Sequence, residues 1–534
     1  MSNYSDFGGR KYGNNNSNSS FGSRRRGQIV KSILGDNLPS SLPIPTNLFN
    51  TQYERKGGKV EFKVFTSYNV ESFTESKTQS IGDGDGAGDS RVNRSGDNTI
   101  ENTGNTKRKA KTTDIKAVIL SLSSNSANNA AYRYMMENIA DKLAVLDHYT
   151  DNFAVMTKAR YSELITTLSN PSYPHQEPVY IVGRIHVSGG KAVELVSSRR
   201  LGNGKSIPLD LSNLDSYSVF PGMNVCVLGT NLNGSMFTAQ KLLPPPIPTS
   251  ITPGKNGAVA AFDTEIMVGC GPFTLNSDLS FGPLVEFVDV ALEKNPAVVV
   301  LVGPFVSQSH PLIASAPISP SECFTTIISP LLHRLCESRK VILVPSVDDL
   351  VSPYFCFPQP PLDSAGLKIP NDVLVAPNPA HILINDSVLV TVCSNDVLMN
   401  LSATEVSKNC AGSRLDRLAS FILEQGSLFP VSSSNISYSL ANSLLASGFN
   451  FNLIDEQLPN ILITPSALKP FCSTLVDGRT LFLNPGRLSL GSKLGFFASI
   501  NLRHQGQDLS QKMDADPDTT QSSPIEYACQ IFSQ

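Results

Sequence analysis

The 534-residue chain contains no tryptophan, only seven histidines and no pair of cysteines in a C-x-x-C arrangement. Scattered thiols without that spacing argue against the common structural zinc motifs. Nine cysteines are present, and several lie within apolar runs such as 390–393, which favours buried, reduced thiols over disulfides. No run of eighteen or more apolar residues occurs, and the first thirty residues are polar. We therefore expect neither a membrane span nor a secretory signal.

The chain also has little net charge, formally −3 at pH 7. Proteins that hold nucleic acid unaided are usually basic, because neutralisation of phosphates supplies most of the non-specific affinity. The low net charge therefore argues against autonomous nucleic-acid binding, but it is compatible with a local basic patch. Hydrophobic residues make up 40% and charged residues 17%, as in ordinary globular proteins, and the length suffices for two or three domains.

The N-terminal region, residues 1–124, is predicted to be mostly disordered. Residues 1–26 and 76–114 are rich in Gly, Asn, Ser and charged residues, and such segments cannot bury enough apolar surface to offset the entropy of ordering. The second segment ends in a basic cluster, which suits either a solvated linker or a nuclear import signal. Its cationic residues are Lys107, Arg108, Lys109 and Lys111.

Two features before the first domain predict ordered structure. Within 38–70, the alternating residues 59–65 are typical of a strand and favour a short docked arm. Residues 125–174 form a helical lead-in, with a helix predicted over 125–148. Its apolar residues recur at steps of three and four, and this face either packs on the folded region or docks on a partner. They are Ala131, Tyr134, Met135, Ile139, Leu143 and Leu146.

In residues 175–246 the pattern of apolar residues changes to one typical of strands. Five short apolar segments are separated by turn residues, which predicts a small closed barrel of the OB-fold type. These segments are 179–185, 192–196, 207–211, 225–229 and 237–242. A run of three prolines at 244–246 ends the domain.

Residues 262–534 begin with alternating strand and helix patterns, which predict a parallel sheet buried on both faces. The predicted elements are strands at 266–269, 298–302 and 341–344, and helices at 282–294 and 322–339, the second interrupted at Pro330. Later segments favour antiparallel pairing, with a hairpin at Asn385-Asp386, a helix at 414–425 and a final pair at 494–502 and 525–532. The overall expectation is an α/β plus all-β protein: a barrel joined to a two-sheet α/β sandwich.

The ends of the predicted strands are where an open α/β sheet binds ligands. Glycine, proline and serine occupy these positions in place of acids and imidazoles. The positions are Gly271, Pro272, Gly303, Pro304, Pro345, Ser346, Pro465, Ser466, Asn484, Pro485, Gly486 and Arg487. Two Gly-Pro-Phe turns, Val-Pro-Ser, Pro-Gln-Pro-Pro at 358–361, Thr-Pro-Ser and Asn-Pro-Gly-Arg-Leu, in this order, closely resemble the family of B subunits of DNA polymerase alpha over residues 125–534.

This resemblance implies a calcineurin-type phosphoesterase domain whose active site has been lost. A working site holds two divalent ions with Asp, His and Asn ligands at these turns. Of the seven histidines, only His310 and His381 come near predicted strand-end loops, and the pair Asp348 and Asp349 is interpreted as a solvated turn. We therefore expect no catalytic residue, no metal and no cofactor.

The resemblance also implies a function and partners. The chain is expected to be a non-catalytic scaffold subunit in the nucleus. It would bind the C-terminal zinc-binding region of the polymerase catalytic subunit, connect it to the primase subunits, and reach DNA through the complex. Family members often begin with a small helical domain and a phosphorylated Ser/Thr-Pro linker. The first such dipeptide here is Thr252-Pro253, so that regulation is in doubt.

Three alternatives stay open at this stage. The chain resembles, less closely, the small subunits of polymerase delta or epsilon. An active metallophosphoesterase is a second alternative. The third is a single-stranded nucleic-acid-binding barrel, which needs stacking aromatics in a positive groove. Its candidate residues are Tyr180, Tyr217, Phe220 and Phe237 with Arg184, Arg199, Arg200, Lys205 and Lys241, although Phe220 and Phe237 are interpreted as core.

Overall fold

A computed structural model describes residues 63–68, 116–119, 138–188, 192–247, 261–432, 458–504 and 525–534. The predictions for the segments 1–26 and 76–114, including the basic cluster, lie outside these residues. The mixed α/β class is confirmed. In the described part of the chain, no helix is long and apolar enough to cross a membrane.

The elements before the barrel are two short strands and one helix. They are β1 (Lys63–Tyr68), β2 (Ala117–Ile119) and α1 (Ile139–Arg160). Helix α1 begins where the side chain of Asn138 accepts a hydrogen bond from the backbone N–H of Asp141, a capping interaction that satisfies one free donor of the first turn.

The helix predicted over 125–148 is present from Ile139 onwards, and residues 125–137 lie outside the described part of the chain. Its predicted buried face was wrong at two positions. Ile139 and Leu143 are exposed, with 77% and 49% of their surface accessible. The face that packs is centred further along, on Val145, Phe153 and Ala154. The structural reason is that α1 continues to Arg160 and lies against the barrel with its second half.

The barrel is closed and five-stranded, in the order β3-β4-β5-β8-β7. Its region contains β3 (His175–Ser188), β4 (Ala192–Val196), α2 (Arg199–Gly202), β5 (Ser206–Asp210), β6 (Tyr217–Val219), β7 (Asn224–Asn231) and β8 (Phe237–Leu243). All five predicted strands are present, and the aromatic side chains of Phe220 and Phe237 are fully buried. Strand β6 stands outside the barrel and pairs elsewhere.

The remaining chain forms two sheets flanked by helices. Its first part contains β9 (Phe262–Cys270), α3 (Gly282–Lys294), β10 (Val298–Val302), α4 (Pro320–Cys323), α5 (Ser329–Cys336), β11 (Lys340–Val344) and β12 (Val373–Val375). A π-helical turn at Phe324–Ile328 joins α4 to α5, so the interruption predicted at Pro330 begins before the proline.

Its second part contains β13 (Ala380–Ile384), β14 (Val388–Val392), α6 (Val397–Thr404), β15 (Val406–Lys408), α7 (Arg414–Glu424), β16 (Ile461–Ile463), β17 (Phe471–Leu475), β18 (Thr480–Asn484), β19 (Ser489–Leu490), β20 (Lys493–Leu494), β21 (Phe496–His504) and β22 (Ile525–Ser533). The predicted hairpin between β13 and β14 is confirmed, with Asn385 and Asp386 both at positive φ. Strand β17, which forms the hairpin with β18, was missed.

Sheet A has the order β1-β22-β21-β9-β10-β11-β12, and sheet B has the order β17-β18-β16-β14-β13-β2. Alternate residues of their strands share one buried layer, as Val298, Val300 and Val302 of sheet A do with Val390 and Val392 of sheet B. The other faces of the strands pack on helices, which explains why β10 is apolar at every position. Sheet A is mixed because its last strands, β21 and β22, run antiparallel.

The barrel and sheet B share a single apolar cluster. The rings of Phe220 and Phe421 lie 5.1 Å apart, and β6 pairs antiparallel with β15. The residue that follows α7 adds a polar contact, because the side chain of Gln425 accepts from the backbone N–H of Asn224 at 2.8 Å and donates to its carbonyl oxygen. The two predicted domains are therefore joined by a continuous packed interface.

Two strands from the N-terminal region complete the sheets at opposite edges. Strand β1 pairs with β22 in sheet A, and β2 pairs with β13 in sheet B. Without them, each neighbour presents unpaired backbone groups, and such edges promote association between chains. The structure therefore takes part of its sheets from a region that was predicted to be mostly disordered.

We expect a chain lacking residues 1–70 to unfold at a lower temperature and to self-associate more as its concentration rises. The deletion removes the β1–β22 ladder, at a cost on the order of 1–3 kcal/mol. The measurements are thermal unfolding and light scattering over a concentration series. A chain lacking only residues 1–58 keeps β1 and is the control. Equal behaviour of the two deletions would contradict a stabilising role for the pairing of β1 with β22.

Candidate functional site at the strand ends

The carboxyl ends of β9, β10 and β11 lie side by side in sheet A. The backbone N–H of Gly271 donates to Val302, and that of Gly303 donates to Val344, each at 2.8 Å. A side chain on Gly271 would collide with the carbonyl of Pro304, and one on Gly303 would collide with the carboxylate of Asp349. Both glycines are therefore required by the close approach of neighbouring turns.

Asp349 is the central polar residue of this edge. The interpretation of Asp348 and Asp349 as a solvated turn was wrong for Asp349, of which only 1% is exposed, and holds only for the exposed Asp348. The carboxylate of Asp349 accepts hydrogen bonds from the backbone N–H groups of Phe305 at 2.6 Å, Val306 at 2.9 Å and Ser346 at 3.3 Å. It therefore joins the turn after β10 to the turn after β11.

The protonation of Asp349 reflects two opposing effects. Burial raises the pKa of its carboxyl to about 7, although the three backbone N–H groups favour the ionised form. An ordinary aspartate titrates near pH 4. Asp349 thus changes charge near neutral pH inside the fold.

A chain of buried amides connects the strand ends of the two sheets. The side chain of Gln359 donates to the carbonyl of Ser346 at 3.0 Å, beyond β11. Its oxygen accepts from the side chain of Asn378 at 3.0 Å, and the oxygen of Asn378 accepts from the backbone N–H of Ser394, beyond β14. Neutral amides therefore span the space between the strand ends of the two sheets.

An ion pair holds the strand ends within sheet B. Arg487 lies 3.2 Å from the carboxylate of Asp396, which also accepts from the hydroxyl of Ser466 at 2.6 Å. Asp396 caps α6 by accepting from the backbone N–H of Met399. The carboxylate of Asp396 is thereby saturated by structural partners.

The remaining predicted strand-end positions are packed as well. Asn484 is fully buried, and its oxygen accepts from the backbone N–H groups of Ser466 and Gly486. Pro345, Pro465 and Pro485 are buried, whereas Pro272 and Pro304 are half-buried. The structure thus brings the twelve predicted positions to one edge of the two sheets, in a packed arrangement.

The two histidines near this region are engaged elsewhere. His310 is buried, with one ring nitrogen 2.8 Å from the carbonyl of Leu275 and the other accepting from the backbone N–H of Leu312. His381 lies inside β13 rather than in a loop, 3.0 Å from the hydroxyl of Thr391, and burial lowers its pKa to about 4. Among the described residues, no group of three His, Cys, Asp or Glu side chains is placed to hold a metal ion.

The barrel residues considered for nucleic-acid binding differ in their burial and in their contacts. Phe220 and Phe237 belong to the core, whereas Tyr180 and Tyr217 are half-buried against core clusters. Arg199 and Arg200 pair with Asp147 and Asp151 of α1. Two of the five candidate cations are therefore paired with acids of the preceding helix.

The sequence alone assigned no contact to Gln359, Asn378 or Asp396, although Gln359 lies in the Pro-Gln-Pro-Pro motif at 358–361. Asp396 precedes an apolar helical segment, which is the pattern of an N-cap, so this residue had a local signal. No local pattern indicated the contacts of Gln359 and Asn378, since their partners lie on other turns of the chain. The burial of Asp349 likewise depends on the neighbouring strand.

Comparison with known families agrees with this arrangement. A family model that describes the B subunits of DNA polymerases alpha and epsilon matches residues 266–473, so the chain falls in the class of polymerase B subunits. A second model, for the OB domain of the B subunit of DNA polymerase alpha, matches residues 143–245.

Individual relatives make the assignment more specific. The DNA polymerase alpha B subunit of Schizosaccharomyces pombe is 33% identical over 394 residues, 70% of this chain and 68% of the relative. Those of Saccharomyces cerevisiae and Rattus norvegicus are 26% and 28% identical, over 61% and 63% of their lengths. The chain belongs to the family of DNA polymerase alpha B subunits, as the strand-end motifs predicted. A solved archaeal phosphodiesterase is 11% identical with a TM-score of 0.22, a similarity too low to define the fold.

Proposed function

We propose that this chain is a non-catalytic accessory subunit of DNA polymerase alpha–primase. It binds the C-terminal region of the polymerase catalytic subunit and connects it to the primase subunits, so that the chain reaches DNA through the complex. Membership of the B-subunit family carries this proposal. The curated relatives bear that name, and the chain spans about two thirds of their length.

The non-catalytic part of the proposal is supported by the strand-end edge. We infer an OB barrel joined to a phosphoesterase-like sandwich of the calcineurin type, with degenerate positions from Gly271 to Arg487. A dimetal site needs open carboxylate and imidazole ligands that hold two ions. At this edge the carboxylates of Asp349 and Asp396 are occupied by backbone N–H groups and by Arg487.

Affinity purification of the tagged full chain from nuclear extract, followed by mass spectrometry, tests the scaffold role. We expect the polymerase alpha catalytic subunit and both kinds of primase subunit to co-purify. Subunits of a clamp-dependent polymerase in their place would instead support a delta or epsilon subunit. Location in the nucleus also follows from the proposal, with Lys107, Arg108, Lys109 and Lys111 as its import signal.

Hydrolysis assays test the absence of catalysis independently. Purified chain supplied with Mn²⁺ is expected to release no product from a generic phosphodiester above a protein-free control. Metal-dependent turnover that survives repeated chromatography would contradict the non-catalytic proposal and would leave the partner experiment unaffected.

A further inference from the structure

A cleft lies where α1, the barrel and the end of α7 meet. Its volume is about 420 Å³, counted to its open mouth. Phe153 and Met156 of α1 and Leu423 of α7 line it with apolar surface. Binding pockets commonly measure about 300–1,000 Å³, so the cleft is large enough to enclose a long side chain.

Glu424, the last residue of α7, is the only charged residue among the described residues that line this cleft. It is half-buried, and in the described part of the chain no hydrogen bond or ion pair reaches its carboxylate. Burial raises the pKa of Glu424 to about 7, since no donor or cation opposes it. Withdrawing an acid from water without a partner is unfavourable, so its place in a cleft points to a ligand that supplies the partner.

The other polar groups of the cleft favour a cation as that ligand. Helix α7 ends here, and the last carbonyl groups of a helix carry partial negative charge. The last turn of α7 contains no basic residue that would balance it. On α1, the side-chain nitrogen of Asn152 lies 2.9 Å from a ring nitrogen of His148, so its oxygen is left as an acceptor towards other groups. The cleft therefore combines acceptors with negative charge.

The distribution of these acceptors favours an ammonium group over a guanidinium group. A planar guanidinium is matched best by a single carboxylate that accepts two parallel hydrogen bonds. Here the acceptors belong to two helices, and the three donors of an ammonium group point in different directions. The apolar walls suit the four methylene groups of a lysine side chain, which pack on apolar surface while the charged end stays at polar groups.

We propose that this cleft is a docking site for a lysine side chain of the polymerase catalytic subunit, with Glu424 as the counter-ion. The inference rests on the proposed function, which supplies the partner protein, whereas charge complementarity selects the side chain. The methylene groups of the lysine pack between Phe153 and Leu423, and its ammonium group meets the carboxylate at the end of α7. One partner side chain then contacts α1 and α7 together.

Carbodiimide coupling tests this contact in the full chain assembled with the catalytic and primase subunits. The reagent activates a carboxylate, and a lysine amine beside it forms an amide bond while the reagent takes up the water that is lost. Mass spectrometry is expected to find Glu424 joined to a lysine of the catalytic subunit. An assembled complex that lacks this product would overturn the docking site, as would coupling of Glu424 to this same chain or to primase. Failure of the subunits to assemble would overturn the proposed function as well.

A substitution gives a second measurement. Glu424→Gln keeps the shape of the side chain and removes its charge, so the dissociation constant for the catalytic subunit should rise about tenfold. Because the carboxylate has no partner in the free chain, this variant should unfold at the same temperature as the wild type or at a higher one. Glu337→Gln, at an exposed position after α5, is the control and should change neither quantity. Unchanged affinity of Glu424→Gln, or a lower unfolding temperature, would contradict a docking role, and the coupling experiment needs no variant to fold.

Discussion

Replacing Asp349 with alanine is expected to lower the free energy of unfolding by about 3–5 kcal/mol. The substitution leaves buried N–H groups of Phe305, Val306 and Ser346 without their acceptor. Each unpaired buried donor costs about 1–3 kcal/mol, and the turns after β10 and β11 lose their connection. Urea denaturation followed by circular dichroism measures the change.

The neighbouring Asp348 provides the control. It is exposed, and its carboxylate accepts from the side chain of Gln308 at 3.0 Å. Asp348→Ala should therefore change the free energy of unfolding by less than about 1 kcal/mol. Similar losses for the two adjacent substitutions would show that the buried carboxylate does not hold the strand ends.

The pH dependence of stability gives Asp349 a second readout. Because its folded pKa is raised to about 7, the folded state holds this proton more tightly than the unfolded chain. The contribution of this proton to the free energy of unfolding is therefore full below about pH 4 and is lost as the pH rises towards 7. Asp349→Asn lacks the titration, so the stability of the wild type relative to this variant should fall over that window. A constant difference in stability between the wild type and this variant from pH 4 to pH 8 would contradict the raised pKa of Asp349.

Replacing Glu405 with alanine is the second change of large expected effect. Its side chain is 1% exposed and lies 2.9 Å from both Arg414 and Arg417. It also accepts from the hydroxyl of Ser218 on β6, at 2.7 Å, and so connects the barrel side of the interface to α7. Removing this carboxylate costs about 1–3 kcal/mol, because Arg417 and Ser218 lose a buried acceptor, whereas the half-exposed Arg414 keeps much of its hydration.

We expect Glu405→Ala to separate the unfolding of the barrel from that of the sheets. Tyrosine fluorescence and far-ultraviolet circular dichroism should then follow two transitions in place of one. Arg334→Ala breaks the exposed ion pair with Asp289 and should cost less than about 1 kcal/mol. If both variants unfold like the wild type, Glu405 does not couple the two parts.

Much of the fold was predictable from local patterns. The helix at Gly282–Lys294 and the strand at Val298–Val302 were predicted with the observed bounds, because a strand buried on both faces leaves a continuous apolar run. The turn residues Asn385 and Asp386 marked their hairpin, since both adopt the left-handed conformation that such a turn needs. The strand-end motifs in turn predicted the family.

The candidate site was predictable in its positions but not in its contacts. Proline and glycine at successive strand ends indicated turns without metal ligands, and the structure gathers these turns at one edge. Asp349 was misjudged because its burial comes from the turn after β10, more than forty residues earlier in the chain. The buried face of α1 was misjudged because the spacing of apolar residues does not show which of them meet the barrel.

The sequence by itself determined the alternation of strands and helices, the turns rich in glycine and proline at the strand ends, and the family, because these depend on residues close together in the chain. Only the tertiary structure decided that Asp349 is buried, that amides and an Asp396–Arg487 pair connect the strand ends, and that β1 and β2 complete the two sheets. It also decided that the barrel and sheet B share one core. These features bring together residues far apart in the sequence, and contacts over such distances produce no periodic pattern along the chain.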